Sequence, residues 1–418
     1  GYASLASNTT GNYNTASGMY SLYVNSTASN NTAMGYESLK ANTTGANNVA
    51  VGATAGLALT TGSQNVLIGE KAGDALTTAS DNVVMGRSAL GSDTLGSKSV
   101  AIGRSALFTQ NFTSATDTYN TAVGYGAGQS VTTGVQNTII GGLAGDAITT
   151  SSNLVAVGTN ALGKNTTGAL STAVGSGALA ENTTGAENVA VGYLALTNNT
   201  TGTHNVAVGS SDGSSGATLG TNSTGSQNTA LGMQALGSNS TASNNTAVGY
   251  QSLKANTTGH SNVAVGMNAL RTTITSVAQT AVGFNALAVA TGHYNTALGF
   301  EALGSNSTAT ENVAIGANAA ASTTTGNLNV SVGSHAFLDN TTGLRNTSVG
   351  AYALSNNTTA SDNVAVGESS LITNTTGANN VAVGKSALAA NTTASSNTAV
   401  GTRALTANTT GSSNSAFG

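Results

Sequence analysis

The sequence predicts an all-β protein, a parallel β-solenoid of about 24 coils with a 17-residue repeat. Three observations predict it: a glycine that closes every repeat, a period-two run rich in β-branched residues before that glycine, and the complete absence of proline. Residues 245–266, NTAVGYQSLKANTTGHSNVAVG, show the unit with both of its bounding signatures.

With the closing glycine as slot 0, the markers run Gly1, Gly18, Gly35, Gly52 and onward to Gly384, Gly401 and Gly418. Of the 24 intervals, 21 are 17 residues long, and the others are 21 (Gly103 to Gly124), 23 (Gly209 to Gly232) and 16 (Gly283 to Gly299). A fixed short period over a whole chain is the signature of a solenoid, so residues 1–418 are expected to be one continuous repeat domain. Both ends fall at the same phase, which suggests a piece of something longer or a unit that continues end to end.

Slots 13 to 16 form the first element. Slot 14 is mostly Val or Thr (Val49, Val66, Thr121), slot 15 mostly Ala (Ala50, Ala101, Ala190), and slot 16 apolar (Met34, Ile68, Val123). Alternation with β-branched residues predicts a short strand, with slots 14 and 16 facing a narrow core and slot 15 outward. A helix is excluded, because the glycines and the Asn-Thr-Thr-Gly clusters leave no segment long enough. Proline would remove a ladder donor, so its absence fits a backbone committed to hydrogen bonding between coils.

The second apolar element is slot 4, usually Leu (Leu39, Leu90, Leu162, Leu253). Four coils place Gly56, Gly73, Gly128 or Gly145 there, and in those coils slot 7 changes from Asn to Leu59, Leu76, Val131 or Ile148. Close-packed interiors penalise voids and overfilling alike, so slots 4 and 7 are expected to share one core. Where slot 7 is Asn (Asn42, Asn165, Asn256), its amide is expected to bond the turn backbone or to stack on the Asn of the next coil. Each coil then reads as two short strands and two turns, with glycine at slots 0 and 10 supplying positive φ. Parallel stacking at about 4.8 Å per coil gives a rod on the order of 115 Å.

Charged residues are only 6% of the chain, against about 25% in typical globular proteins. The net charge of −4 is unclustered, which gives no case for nucleic acid or an anionic membrane. No apolar run approaches the roughly 20 residues of a membrane helix, and without cysteine there is neither a disulfide nor a thiolate metal site.

His204, His260, His293 and His335 fall at different slots, and the acidic residues are scattered singly. Neither pattern offers the convergent ligands of a metal site or a catalytic set, so no enzyme, metal or cofactor is expected. The candidate binding residues lie in the two longer coils, 104–124 (Phe108, Phe112, Asp117, Tyr119) and 210–232 (Asp212), because insertions in solenoids emerge as loops from one face. Aromatic residues at slot 1 (Tyr36, Tyr125, Tyr193, Tyr250, Phe284, Phe300) alternate with charged ones and are expected outward, where they could touch glycans or a partner. Asn-x-Thr tripeptides at Asn8, Asn42, Asn182, Asn199, Asn374 and Asn408 match glycosylation acceptors. The Thr rows at slots 8 and 9 raise ice binding, with one Thr per coil facing out.

The signatures at 188–192 (NVAVG) and 99–103 (SVAIG) resemble the head repeats of trimeric autotransporter adhesins, the YadA-like group. The longer unit at 36–45 and 250–259 also resembles repeats of phage tail fibres and related surface fibres. The resemblance covers the whole chain and implies a left-handed parallel β-roll whose three copies pack side by side. It implies a structural or adhesive fibre, extracellular or on a cell or virion surface, whose partners are its own copies and a host-surface protein or glycan. The repeat here is longer than in the typical adhesin head, and no stalk, anchor or attachment domain is present to choose between the families. A self-assembling filament is the alternative. The column of Ala at slot 15, read as outward, is the residue-level argument for close lateral packing.

Overall fold

In the computed structural model, which describes residues 1–213 and 216–418, the protein is all-β, a parallel β-solenoid of about 24 turns with one turn per repeat. Its two compact units span Gly1–Asn205 and Val206–Gly418. In each, every coil contributes one three-residue strand at slots 14 to 16, such as Val49–Val51 in the first unit and Val263–Val265 in the second. The strands pair in parallel and in unshifted register, Thr246 with Val263, Ala247 with Ala264, Val248 with Val265. The 16-residue coil keeps that register, Ala281 opposite Ala297.

The inward and outward sides of the strand are the reverse of the sequence expectation. Slot 15 is fully buried: Ala33, Ala50, Ala190, Ala247 and Ala264 have no exposed surface. Slots 14 and 16 face outward, with Met34 47%, Ile68 38%, Leu231 45% and Val263 36% exposed. The reason is volume. The cross-section of a 17-residue coil already holds the slot-4 Leu and two asparagines, and only a methyl group fits opposite them. Ala at slot 15 therefore records a tight interior, and the close-approach argument drawn from it falls.

Slots 4 and 7 do share the core. Leu39, Leu253, Leu59, Leu76, Val131 and Ile148 are all fully buried. The exchange has a third partner, for where slot 4 is glycine, slot 15 grows to Leu67, Val84 or Ile139. In the coil of Gly145, slot 13 becomes the buried Leu154.

Two asparagine ladders line the remaining interior. At slot 7, Asn42 Nδ2 donates to Asn25 Oδ1 (3.0 Å) and to Gly45 O (2.9 Å), so the expected turn bond is made and the neighbouring Asn is hydrogen-bonded as well. At slot 13, Asn245 Oδ1 accepts from the backbone N–H of Asn262 (3.0 Å), and Asn245 Nδ2 donates to Gly259 O (2.9 Å). These buried amides satisfy backbone groups at the turns, where no sheet partner exists.

The second strand is not formed as expected. Slots 3 to 9 carry ladder bonds between coils, Leu39 N to Ala55 O (3.0 Å) and Thr43 N to Thr60 O (2.9 Å), but bend too tightly for strand geometry. Among the described residues the one exception is the pair Gly96–Ser97 and Thr116–Asp117 in the first unit. The bending comes from left-handed residues at slots 2, 4 and 12, such as Glu37 (φ 55°), Leu39 (φ 48°) and Asn47 (φ 59°). Each non-glycine residue there costs roughly 1–2 kcal/mol. Burying a Leu side chain returns about 1.5–3 kcal/mol. Glycine at slot 0 does have positive φ (Gly35, 136°), and a Cβ there would strike the carbonyl of Gly52. Glycine at slot 10 does not; at Gly45 a Cβ would meet the carbonyl of Gly62, and this crowding favours glycine or a small residue.

Candidate functional site

The first long coil joins the coil before it in a buried polar knot. Asp93 replaces the slot-7 Asn and is fully buried. Its carboxylate accepts from Gln110 Nε2 (2.7 Å), Gly96 N (3.0 Å) and Phe112 N (3.4 Å). Gln110 Nε2 also meets Ser99 Oγ (3.0 Å), and its Oε1 accepts from Asn120 Nδ2 (2.8 Å). Burial pushes the Asp93 carboxyl above its ordinary range, against the opposing pull of these donors.

The four candidates in this coil separate. Phe112 is buried at 7% exposure and is a core residue. Phe108 lies over Gly91, whose Cβ position its ring edge would meet at 3.1 Å, and keeps about a third of its surface exposed. Asp117 and Tyr119 do come together around Lys98: Nζ donates to Asp117 Oδ2 (2.6 Å) and Tyr119 Oη (3.3 Å), and sits 5.3 Å from the Tyr119 ring centroid. The trio neutralises itself and leaves no charge for a ligand.

Asp212 belongs to the second unit, and Ser214 and Ser215 of its long coil lie outside the described residues. Asp212 Oδ2 accepts from Gln234 Nε2 (3.1 Å), Gln234 Oε1 from Gln251 Nε2 (2.8 Å), and Gln251 Nε2 also donates to Tyr250 Oη (3.0 Å). This relay leads from the insertion to two depressions along slots 2, 5 and 6. One, about 240 Å³, is lined by Gln251, Lys254 and Arg271; the other, about 280 Å³, by Arg271, Asn285, Glu301 and Ser305. The sequence did not single out Lys254 or Arg271. Their signal is that both occupy slot 5 in consecutive coils, with Gly237 before and Ala288, Gly304 and Ala321 after.

The slot-1 aromatics are outward as expected, Tyr125 at 57% and Phe300 at 50% exposure, and Phe284 stacks on Phe300 with ring centroids 5.4 Å apart. Of the Thr rows, slot 9 is exposed (Thr44, Thr61, Thr184, Thr258), while slot-8 hydroxyls bond the next coil, as Thr183 Oγ1 does to Thr200 O (3.0 Å). One Thr column results. Asn42, Asn182, Asn199 and Asn374, the central glycosylation-type asparagines, are buried in the slot-7 ladder.

The histidines stand apart: His204 contacts Glu187 (2.9 Å), and His335 stacks on Tyr352. Among the described residues no three His, Cys, Asp or Glu side chains gather, and no helix is long and apolar enough to cross a membrane. No family model matches the chain, and no curated protein matches it.

The strand face is uniform from coil to coil. In the main-sheet strands of both units, slots 14 and 16 carry Val, Thr, Ile, Leu and Met, with Ser17, Ser415 and Phe417 in the terminal strands and no charged residue. Charges lie elsewhere and pair from coil to coil, Arg345 with Asp362 (2.7 Å) and Lys385 with Glu368 (2.8 Å). Slot 16 is an apolar, partly exposed column within each unit, while slot 14 mixes Val and Thr, and a repeated apolar column at the surface marks an interaction surface.

Proposed function

We propose that the chain is a non-enzymatic structural and adhesive module of an extracellular fibre, of the adhesin-head or tail-fibre kind, whose copies pack side by side as a parallel homotrimer. The observation that carries this reading is the uncharged strand face at slots 14 and 16. Parallel copies in register would set these columns against one another along the axis and remove Met34, Ile68, Leu231 and Val263 from water. Strand stacking, two internal amide ladders and coil-to-coil ion pairs suit a stiff spacer, since each coil depends on its neighbours. The resemblance of the repeat signatures to surface-fibre proteins supports the same setting.

Light scattering with electron microscopy of the purified chain tests this. A three-chain particle is expected. A single-chain particle at high concentration would overturn the lateral packing, and an open-ended polymer would favour the filament alternative.

A further inference from the structure

We propose that the second unit carries an acidic-saccharide site on the Lys254–Arg271 column. This deepens the reading of the chain as a surface fibre by naming a ligand class. Lys40, Arg87, Lys98, Lys164, Arg345 and Lys385 each have a carboxylate partner. Among the described residues Lys71, Arg104, Lys254, Arg271 and Arg403 have none, and of these five Lys254 and Arg271 alone stand in consecutive coils at the same slot. Coil spacing sets their backbones about 4.8 Å apart, so two like charges stand in adjacent coils and neither is in ion-pair contact with a carboxylate. Gly237 on one side and Ala288 and Gly304 on the other leave the depressions that flank them.

The lining fits a particular ligand chemistry. Arg271, which borders both depressions, offers a planar fork suited to a carboxylate, and Lys254 adds a second positive charge. Gln251 and Asn285 supply amides, and Glu301 supplies an acceptor for hydroxyl groups in the larger depression. A carboxylate at that place disfavours a dense polyanion and suits a ligand that alternates acid and hydroxyl groups. Tyr250, tied to Gln251 through its hydroxyl, and the stacked Phe284 and Phe300 put exposed aromatic faces on the same coils, the surface to which sugar rings adhere. The site runs along the axis and fits an extended saccharide bearing uronate-type carboxylates.

Calorimetric titration of the full chain with oligogalacturonate, and with a neutral dextran of equal length, tests this. Oligogalacturonate is expected to bind and dextran to bind at least tenfold more weakly. Arg271→Ala is expected to lower affinity about tenfold, the loss of one charge-assisted contact. Lys254→Ala should have a smaller effect, and Arg345→Ala, a paired cation elsewhere, none. Circular dichroism reports whether each variant is folded. Equal binding of dextran, no binding of either probe, or an equal loss in Arg345→Ala would overturn the proposal. None of these outcomes alters the particle mass that tests the fibre reading.

Discussion

Gly56 and Leu67 share one space: a Cβ on Gly56 would lie 2.7 Å from Cδ1 of Leu67 and 2.9 Å from Cδ2 of Leu39. Glycine at slot 4 is therefore the counterpart of a large slot-15 residue. Its φ of 60° is no obstacle to Leu, which adopts 48° at the same slot in Leu39. Gly56→Leu should destabilise the first unit by about 1–3 kcal/mol through overpacking. Gly56→Leu with Leu59→Asn and Leu67→Ala restores the standard coil and should recover most of that loss in chemical denaturation. An additive loss across the triple variant would show that the three sites do not share a space.

That relationship also marks what the sequence disclosed. The exchange between Gly56 and Leu59 was visible without structure, because one change answers the other within a coil. Leu67 carried the further clue that slot 15 is inside, but period-two alternation cannot say which side of a strand faces in. The assumption that the bulkier side chains go inward then inverted the strand. The left-handed residues at slots 2, 4 and 12 were hidden because Glu37, Leu39 and Asn47 are not glycine; of these Leu39 is held by the interior, while Asn47 is exposed. Lys254 and Arg271 were hidden because a cation acquires meaning only when its neighbours across coils are known.

The slot-13 ladder predicts a site-specific cost. Asn245→Ala would leave the N–H of Asn262 without its partner, while the carbonyl of Gly259 would keep the bond from Asn256 Nδ2. An unsatisfied buried group costs about 1–3 kcal/mol, so a loss of that order is expected. Ser261→Ala, one position before Asn262 and exposed, should change little. Urea denaturation of the two variants compares them directly.

The buried carboxyl of Asp93 makes stability depend on pH in a definite direction. Its folded pKa is raised above the ordinary value by burial, so the folded state holds the proton more tightly than the unfolded chain. Stability from this group is fully present below the ordinary carboxylate range and is lost as pH rises through the raised value. Asp74 and Asp146 are shifted the same way by burial and add to the trend. Asp93→Asn should flatten the fall in melting temperature of the first unit above pH 4, the ordinary Asp range. An unchanged slope in that variant would assign the trend to other groups.

The central Asn-x-Thr sites predict protection by folding. Asn42, Asn182, Asn199 and Asn374 have buried, bonded amides. An oligosaccharyltransferase offered the folded chain should leave these four unmodified and modify them after unfolding, as read by peptide mass spectrometry. Modification of the folded chain at Asn182 would contradict the ladder.

The most direct measurement is the fate of a single cysteine placed on the strand face. The chain has no cysteine of its own, and Val265 lies on the outward side of the strand Val263–Val265. In parallel copies packed in register, Val265→Cys brings equivalent thiols of neighbouring chains together. The account predicts covalent chain dimers under mild oxidation and slow reaction with maleimide in the assembled particle. A thiol that maleimide labels at the rate of an unfolded chain, with no cross-linked product at any concentration, would contradict it.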